Sequence, residues 1–283
     1  HIFYHGNEMQ KRKYLPKLAS GEFIGAWGLT ESNTGSDAMR MKTTAKKVGN
    51  NWVINGTKNW ITHGLSGDIA VVLVRTGDLL DSKGITAFIV EKGTPGFSAV
   101  KIKDKFGVRS SETAELIFDD CRLPAANLLG EENRGFYSVM SNFQIERIAL
   151  GAMAIGHALT ALRLTTEWTK QRKAFGGVLY DKQVIRQRLS MLASKTEAAR
   201  TLLYHCAWLV NENKECVKEV SMLKALTGEL VNEVMYSCQQ FFGGMGYMKE
   251  SPIERLVRDA RVLAIGGGAT EVMLEEVAKR MYF

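Results

Sequence analysis

The sequence predicts an α+β protein in which a β-domain precedes a helical bundle. Short apolar runs bounded by Gly, Asp and Pro-Gly turns fill the chain up to about residue 130, and helical periodicity fills the remainder. Strands followed by helices, rather than alternating with them, are typical of the α+β class. We expect a β-sandwich or barrel at residues 25–130, an antiparallel four-helix bundle at 131–283, and the end of a further helical region at 1–24.

The β-region begins after a helix-like stretch at Asn7–Leu18. Trp52–Gly56 is interpreted as a strand ending in an Asn55-Gly56 turn, because this dipeptide is a strong hairpin signal, with the return strand at Lys58–Thr62. Turn residues then delimit the other predicted strands, which are Ile69–Arg75, Ile85–Glu91, Phe97–Lys103 and Glu112–Phe118.

The helical region contains five periodic stretches. They are Phe136–Gln171, Lys182–Asn213, Glu215–Phe242, Ser251–Leu263 and Thr270–Arg280. Glycine lowers helix propensity, so Gly151, Gly156 and Gly228 are expected to mark the close approach of a neighbouring element.

Composition and missing motifs exclude several functional classes. The 37 basic and 30 acidic residues give a net charge of +7, which suits anionic small molecules as well as nucleic acid. The longest aliphatic run, Ile69–Val74, is far shorter than the roughly 20 residues of a membrane span, so we expect a soluble protein without a nucleic-acid partner. Four cysteines without CxxC spacing favour a reducing compartment and no metal site. No P-loop, GxSxG, HExxH or strand-linked GxGxxG motif occurs, which disfavours a Rossmann dehydrogenase.

Two segments of the β-region have the composition of a binding site. Ala26–Asp37 combines glycines with small hydroxylated residues, which can present successive backbone N–H groups to an anion or a polar ring edge. Trp60-Ile61-Thr62 places a flat aromatic ring beside a hydroxyl group. A surface loop and a buried core tryptophan are the alternatives.

Glu146 is a candidate general base on the first long helix. Phe143, Ala149, Leu150 and Met153 lie on its face of the helix, and desolvation there would raise its pKa. A structural ion pair with Arg147 is the alternative.

The helix end at Gln171–Gly176 is the third candidate. Its cations favour a helix C-terminus, and Gly176 is interpreted as the helix stop. Alternatively, Arg172 binds a phosphate through two hydrogen bonds.

Four segments in register resemble the acyl-CoA dehydrogenase family across essentially the whole chain. They are AWGLTESNTGSDA, NWIT, QRKAFG and QQFFGGMGY. The resemblance implies an FAD cofactor, a β middle domain, a C-terminal four-helix bundle, a preceding helical domain that is absent here, and a homotetramer or dimer whose subunits share the FAD site.

The resemblance also implies the site residues. Those that bind FAD would be Trp27, Leu29, Thr30, Gly35, Ser36, Trp60, Ile61, Thr62, Arg172, Phe175, Gln183, Gln240, Gly243, Gly244, Ala269, Thr270 and Glu271. Thr62 would lie near flavin N5, and the neighbouring subunit's FAD would be reached by Arg172, Phe175, Gln240, Gly243 and Gly244. The substrate would contact Ser36, Gln144 and Arg147.

The sequence departs from the family at Ile265–Glu271. Many members carry a glutamate as the α-proton base where this chain has Gly267, and a threonine where it has Ala269. Isovaleryl-CoA and long-chain acyl-CoA dehydrogenases place the base on the earlier helix, immediately before an arginine. Glu146 matches that position, and the Gly267 backbone N–H would still bind the thioester carbonyl.

The resemblance thus implies dehydrogenation of a fatty or branched-chain acyl-CoA to trans-2-enoyl-CoA, as in β-oxidation, with electron-transfer flavoprotein as acceptor. An acyl-CoA oxidase and a non-catalytic flavin-binding assembly protein are the alternatives. The expected location is the cytoplasm of a bacterium or the mitochondrial matrix of a eukaryote.

Overall fold

The computed structural model describes residues 1–78 and 81–281, with the backbone alone at residues 82 and 138–142. The chain forms two compact units. The sheet unit comprises His1–Lys105 and Arg109–Asn142, and the helical unit comprises Phe106–Val108 and Phe143–Phe283.

The sheet unit begins with two helices, α1 (Ile2–His5) and α2 (Glu8–Ser20). Asn7 caps α2, since its side chain accepts a hydrogen bond from Gln10 N and its own N–H donates to the Gln10 side chain. The predicted helix at Asn7–Leu18 is confirmed. The strands that follow are β1 (Gly25–Gly28), β2 (Thr44–Val48), β3 (Asn51–Thr62), β4 (Ile69–Arg75), β5 (Ile85–Glu91), β6 (Phe97–Lys101), β7 (Thr113–Pro124) and β8 (Leu128–Leu129).

These strands form one mixed sheet in the order β6-β7-β3-β2-β4-β5-β8, and β1 pairs with β4. The β1/β4 pair is parallel and the β4/β5 pair is antiparallel. Strand β4 is buried throughout because its side chains are apolar at nearly every position. The predicted bounds of β4 and β5 are confirmed, whereas β1 and β2 were missed.

The predicted turn at Asn55-Gly56 is wrong, because β3 continues through both residues. The pairing with β7 shifts register there, so Gly56 sits at a bulge with φ of 135°. A side chain at Gly56 would place its Cβ 2.7 Å from Thr43 Cα. Asn55 bonds to the backbone and carboxylate of Asp120 across the sheet. Long-range pairing therefore overrides the local turn signal.

The helical unit is built mainly from three long helices and two short ones. They are α3 (Gly135–Gln171, of which 143–171 belong to this unit), α4 (Gln183–Asn211), α5 (Val217–Phe242), α6 (Pro252–Ala260) and α7 (Thr270–Ala278). A two-stranded hairpin, β9 (Lys173–Ala174) and β10 (Gly177–Val178), separates α3 from α4. The apolar stripes of these helices form the core of the unit. The predicted α+β class is confirmed.

The helix glycines differ in how closely a neighbouring element approaches them. A Cβ on Gly151 would lie 3.1 Å from Leu223 Cγ, and one on Gly228 would lie 3.0 Å from Ala264 Cα. The predicted close approach is correct at these two positions. At Gly156 it does not hold among the described residues, none of which places a heavy atom within 4 Å of the corresponding point.

Residues Phe143–Gln171 are long and apolar enough to cross a membrane by length and composition, and 39% of the apolar window is buried within the chain. Core helices of soluble proteins meet the same criteria, so this single helix does not support a membrane span.

Candidate active site

The first candidate segment is a loop that follows β1 in the sheet unit. Its backbone closes on itself, because Glu31 N donates to Thr34 O at 3.1 Å and Thr34 N donates to Glu31 O at 3.2 Å. Leu29 is buried, whereas Gly35 and Ser36 are exposed. The loop therefore has a fixed base and an accessible tip.

A buried ion pair fixes the base of this loop to β3. Lys58 Nζ lies 2.8 Å from Glu31 Oε1 and donates to Leu29 O at 3.0 Å. The backbone N–H groups of Lys42 and Thr43 donate to the same carboxylate. Burial alone would raise the pKa of Glu31, but Lys58 and these donors hold it below its usual value. Neither member of the pair was predicted as a site residue.

The second candidate segment is the end of β3. Asn59 N donates to Thr30 O at 2.8 Å, which ties this strand to the loop. Trp60 has a φ of 58° and is 58% exposed, so the core alternative for its indole ring is wrong. Ile61 is buried and Thr62 is exposed. Strained backbone that displays an aromatic ring is a recognised mark of a binding site.

The helical unit places Glu146 directly beside Gly267. Glu146 Oε1 lies 3.6 Å from the point that a Cβ on Gly267 would occupy. Leu150 Cδ1 would overlap a Cβ at that point, and the φ of Gly267 is 66°, so a side chain at residue 267 would be both crowded and strained. The Gly267 N–H has no acceptor among the backbone hydrogen bonds of the described residues. The Glu146 carboxylate therefore lies beside a glycine turn whose Gly267 N–H is not used in the backbone hydrogen bonds of the described residues.

Burial raises the pKa of Glu146, although Arg147 and Lys224 attract its charged form. Arg147 is buried, lies over the Phe143 ring and donates to Gly267 O at 3.4 Å. Within the part of the chain that the structure describes, no ion pair joins Glu146 to Arg147. The structural ion pair with Arg147, the alternative for Glu146, is therefore not found among the described residues.

Lys224 is a buried residue beside the Gly267 turn that the sequence interpretation did not single out. It is 1% exposed, and its Nζ donates to Leu263 O at 2.7 Å and to Gly268 O at 3.0 Å. Burial lowers its pKa to about 8, as does Arg147, whereas Glu146 raises it. A signal was present, since Lys224 lies on the same stripe of α5 as the buried Val220, Thr227 and Val231.

A third group of predicted residues lies at one end of the helical unit. Trp168 Nε1 donates to Phe241 O at 3.1 Å, and its ring stacks on Phe242, which brings the ends of α3 and α5 together. The Arg172 guanidinium lies 5.9 Å from the centre of the Trp168 ring. The exposed residues at this end include Arg172, Phe175, Gln183, Gln240, Gly243 and Gly244.

The interpretation of Gly176 as the helix stop is wrong. Helix α3 ends at Gln171, and Phe175-Gly176 forms the turn between β9 and β10. Both residues have positive φ, which matches the twist of a tight hairpin. Phe175 is 91% exposed at this turn.

The remaining predicted residues differ in their surroundings. Thr270 is buried, and its Oγ1 donates to Glu229 Oε1 at 2.9 Å. Gln144 is half-buried, and its Oε1 has no hydrogen-bond partner among the described residues. Trp27 and Ala269 are half-buried, and Glu271 is exposed. The described residues contain no group of three or more His, Cys, Asp or Glu side chains able to hold a metal ion.

Comparison with known families identifies the class of this protein. Residues 26–121 match the family model of the acyl-CoA dehydrogenase middle domain, and residues 133–282 match that of the C-terminal domain. The chain belongs to the acyl-CoA dehydrogenase family, whose members are FAD-dependent oxidoreductases. The predicted resemblance is confirmed.

Individual relatives agree with this assignment. An acyl-CoA dehydrogenase of Bacillus subtilis is 44% identical over 278 residues, which are 98% of this chain and 73% of the relative. The mitochondrial isovaleryl-CoA dehydrogenase of Pongo abelii is 43% identical over 94% of this chain, which spans 64% of that protein. The butyryl-CoA dehydrogenase structure from Megasphaera elsdenii has a TM-score of 0.96 at 39% identity, covering 99% of this chain and 73% of that one.

The sheet unit has features that fit FAD. The Trp60 ring is exposed on strained backbone, as a group that stacks on a planar cofactor requires. Thr34 Oγ1 is buried in the loop and has no hydrogen-bond partner in the part of the chain that the structure describes. Buried polar atoms in native proteins are nearly always hydrogen-bonded. An aromatic face and an unsatisfied hydroxyl suit a cofactor with a flat ring and polar substituents.

Proposed function

We propose that this protein dehydrogenates an acyl-CoA thioester between its α and β carbons to give the trans-2-enoyl-CoA, with Glu146 as the α-proton base. The observation that carries the proposal is the distance of 3.6 Å between Glu146 Oε1 and the Cβ point of Gly267. Many family members carry their base at the Gly267 position. This short distance supports the proposal that the Glu146 carboxylate would act in place of that base.

The local chemistry supports this role. Burial raises the pKa of Glu146 toward the range in which a general base works well near neutral pH. When the α C–H bond breaks, the proton passes to the Glu146 carboxylate and the electron pair spreads toward the thioester oxygen. The Gly267 N–H would donate a hydrogen bond to that oxygen and stabilise its developing charge.

FAD, when bound, supplies the acceptor for the β-hydride. Leu29, Thr30, Gly35, Ser36, Trp60 and Thr62 would hold it from the sheet unit. The exposed residues at the end of the helical unit, among them Arg172 and Phe175, would contact the FAD of a second copy of the chain. An assembly of copies, as a dimer or tetramer, is part of the proposal.

The substrate would be a fatty or branched-chain acyl-CoA. The unpartnered Gln144 Oε1 and the buried Arg147 guanidinium would contact its polar part. The surplus of seven positive charges would attract the CoA phosphates. Electron-transfer flavoprotein is the proposed acceptor for the next step, in a bacterial cytoplasm or a mitochondrial matrix.

The test is anaerobic bleaching of the FAD-loaded protein by a panel of straight and branched acyl-CoA substrates. Glu146→Gln should keep its FAD but bleach at least about 100-fold more slowly, the usual contribution of a general base. The matched control is Glu167→Gln on the same helix, because the Glu167 carboxylate is exposed and pairs only with Arg163 among the described ion pairs.

Bleaching of Glu146→Gln at the wild-type rate would remove Glu146 from the mechanism. Rapid peroxide formation in air would identify the protein as an acyl-CoA oxidase instead. Failure of every acyl-CoA to bleach the wild-type protein would favour a non-catalytic flavin-binding role.

A further inference from the structure

The buried ammonium group of Lys224 holds the turn that contains Gly267. Lys224 Nζ donates to the carbonyl oxygen of Leu263 on one side of Gly267 and to that of Gly268 on the other. Leu263 lies in the short 3₁₀ turn Arg261–Ala264 and Gly268 in the bend that follows, where the backbone alone does not fix the direction of the carbonyl groups. Hydrogen bonds from a charged donor are stronger than those between neutral groups, so this contact strongly constrains the turn.

We propose that Lys224 is a positioning residue for α-proton removal, because it fixes the Gly267 turn through the carbonyl groups on both sides of it. The inference rests on the proposed function, which assigns the Gly267 N–H to the thioester oxygen. The peptide groups of the turn are linked, so the direction of the Gly268 and Leu263 carbonyl groups limits the direction of the Gly267 N–H. Small errors in the orientation of such a donor cost a large part of its effect on rate.

Lys224 also sets the electrostatic environment of the proposed base. Glu146 and Arg147 on helix α3 are the charged groups that affect the pKa of Lys224, and the turn contributes carbonyl oxygens. Glu276 and Arg280 in turn affect the pKa of Arg147. The Lys224 charge attracts the ionised form of Glu146 and so opposes the effect of burial on that carboxyl. Loss of the ammonium should therefore raise the pKa of Glu146 further.

The test compares Lys224→Met with Lys224→Gln in the FAD-loaded protein. The methionine removes both the charge and the donors, whereas the glutamine keeps an N–H donor and removes only the charge. The matched control is Lys218→Met on the same helix, because the Lys218 side chain is 42% exposed.

The readout is exchange of the α-hydrogens of acetyl-CoA and 3,3-dimethylbutyryl-CoA with D₂O, followed by mass spectrometry across a range of pH. Neither thioester has a β-hydrogen, so only proton removal and return are measured. The proton leaves to Glu146 and a deuteron returns to the same carbon, which balances the step. Amide exchange of the 261–269 segment reports on the turn without any catalytic turnover.

We expect Lys224→Met to lower the exchange rate about 10- to 100-fold and to raise the apparent pKa of its pH profile by about one unit or more. Amide exchange at 261–269 should also become faster. Lys224→Gln should show the raised pKa with a smaller loss of rate.

An unchanged pH profile in both variants would overturn the inference, even if their rates fell, because a merely structural role does not move the pKa of the base. The inference is also overturned if only Lys224→Gln yields folded protein and its profile matches the wild type. Wild-type exchange rates in Glu146→Gln would instead refute the proposed function, whatever the Lys224 variants show.

Discussion

Lys58 in the sheet unit and Lys224 in the helical unit are both buried among the described residues, but their charges are balanced differently. Lys58 is in direct contact with a carboxylate, that of Glu31 at 2.8 Å. Lys224 donates to two carbonyl oxygens, and Glu146 is the carboxylate that raises its pKa. Each lysine donates to backbone carbonyls of a segment that contains predicted site residues.

The difference is that Lys58 forms a direct ion pair with Glu31, whereas no direct ion pair joins Lys224 to Glu146 among the described residues. The pKa of Glu31 is held below its usual value by Lys58 and backbone donors, which stabilise the ionised form of this carboxylate. The pKa of Glu146 is raised by burial, because its positive neighbours do not pair with it directly. Two carboxylates near buried lysines thus have pKa shifts in opposite directions.

Among the variants that test this difference, Lys58→Met is expected to have the largest effect on stability. Removing one partner of a buried pair leaves an uncompensated charge on Glu31, which should lower the free energy of unfolding by about 3–5 kcal/mol. The loop base also loses its bond to Lys58, so the purified protein should contain less FAD. Urea unfolding followed by circular dichroism, together with the flavin-to-protein ratio, measures both effects.

The control for this variant is Lys13→Met, which removes an ion pair with Glu91 in which the Lys13 side chain is 58% exposed. That change should cost no more than about 1 kcal/mol. The double variant Glu31→Gln/Lys58→Met should recover part of the loss, since no charge then remains buried. A loss in Lys58→Met as small as in Lys13→Met would show that the buried pair does not hold the loop.

A smaller effect on stability is expected from Gly267→Ala, which tests the turn that Lys224 holds. The new methyl group would clash with Leu150 and force a side chain onto left-handed backbone, at a cost of about 1–3 kcal/mol. Relief of the clash with Leu150 should shift the turn beside the Glu146 carboxylate, so the bleaching rate should fall. Thermal unfolding and anaerobic bleaching measure the two consequences.

The neighbouring residue supplies the control for this glycine. A Cβ on Gly266 would meet nothing closer than Val262 O at 3.7 Å, and its φ is not in the left-handed region. Gly266→Ala should therefore retain stability and bleaching rate. Equal behaviour of the two alanine variants would mean that the crowding at Gly267 has no functional consequence.

The sequence predicted the elements whose periodicity is strong. Strands β4 and β5 and the long helices lie close to their predicted bounds, because apolar spacing there reflects burial directly. The Asn55-Gly56 turn failed, since pairing with β7 across the sheet outweighed a local preference. Gly176 failed because a short hairpin, rather than a helix cap, uses its positive φ.

The candidate site was predicted only in part. Glu146 and Gly267 were identified by their place in the chain, but their proximity depends on tertiary packing of α3 against the turn before α7. Lys58 and Lys224 were missed, because lysine is almost never fully buried and a charged residue in a strand or helix is usually interpreted as exposed. Only the fold shows that both lysines hold backbone carbonyls inside the protein.

The most direct test of the central claim is α-hydrogen exchange of 3,3-dimethylbutyryl-CoA with D₂O by the FAD-loaded protein, compared between the wild type and Glu146→Gln. We predict exchange by the wild type and a loss of at least about 100-fold in the variant, with FAD content unchanged. Exchange by Glu146→Gln within about twofold of the wild type would contradict the assignment of Glu146 as the base, since a change that small lies far below the usual contribution of a general base.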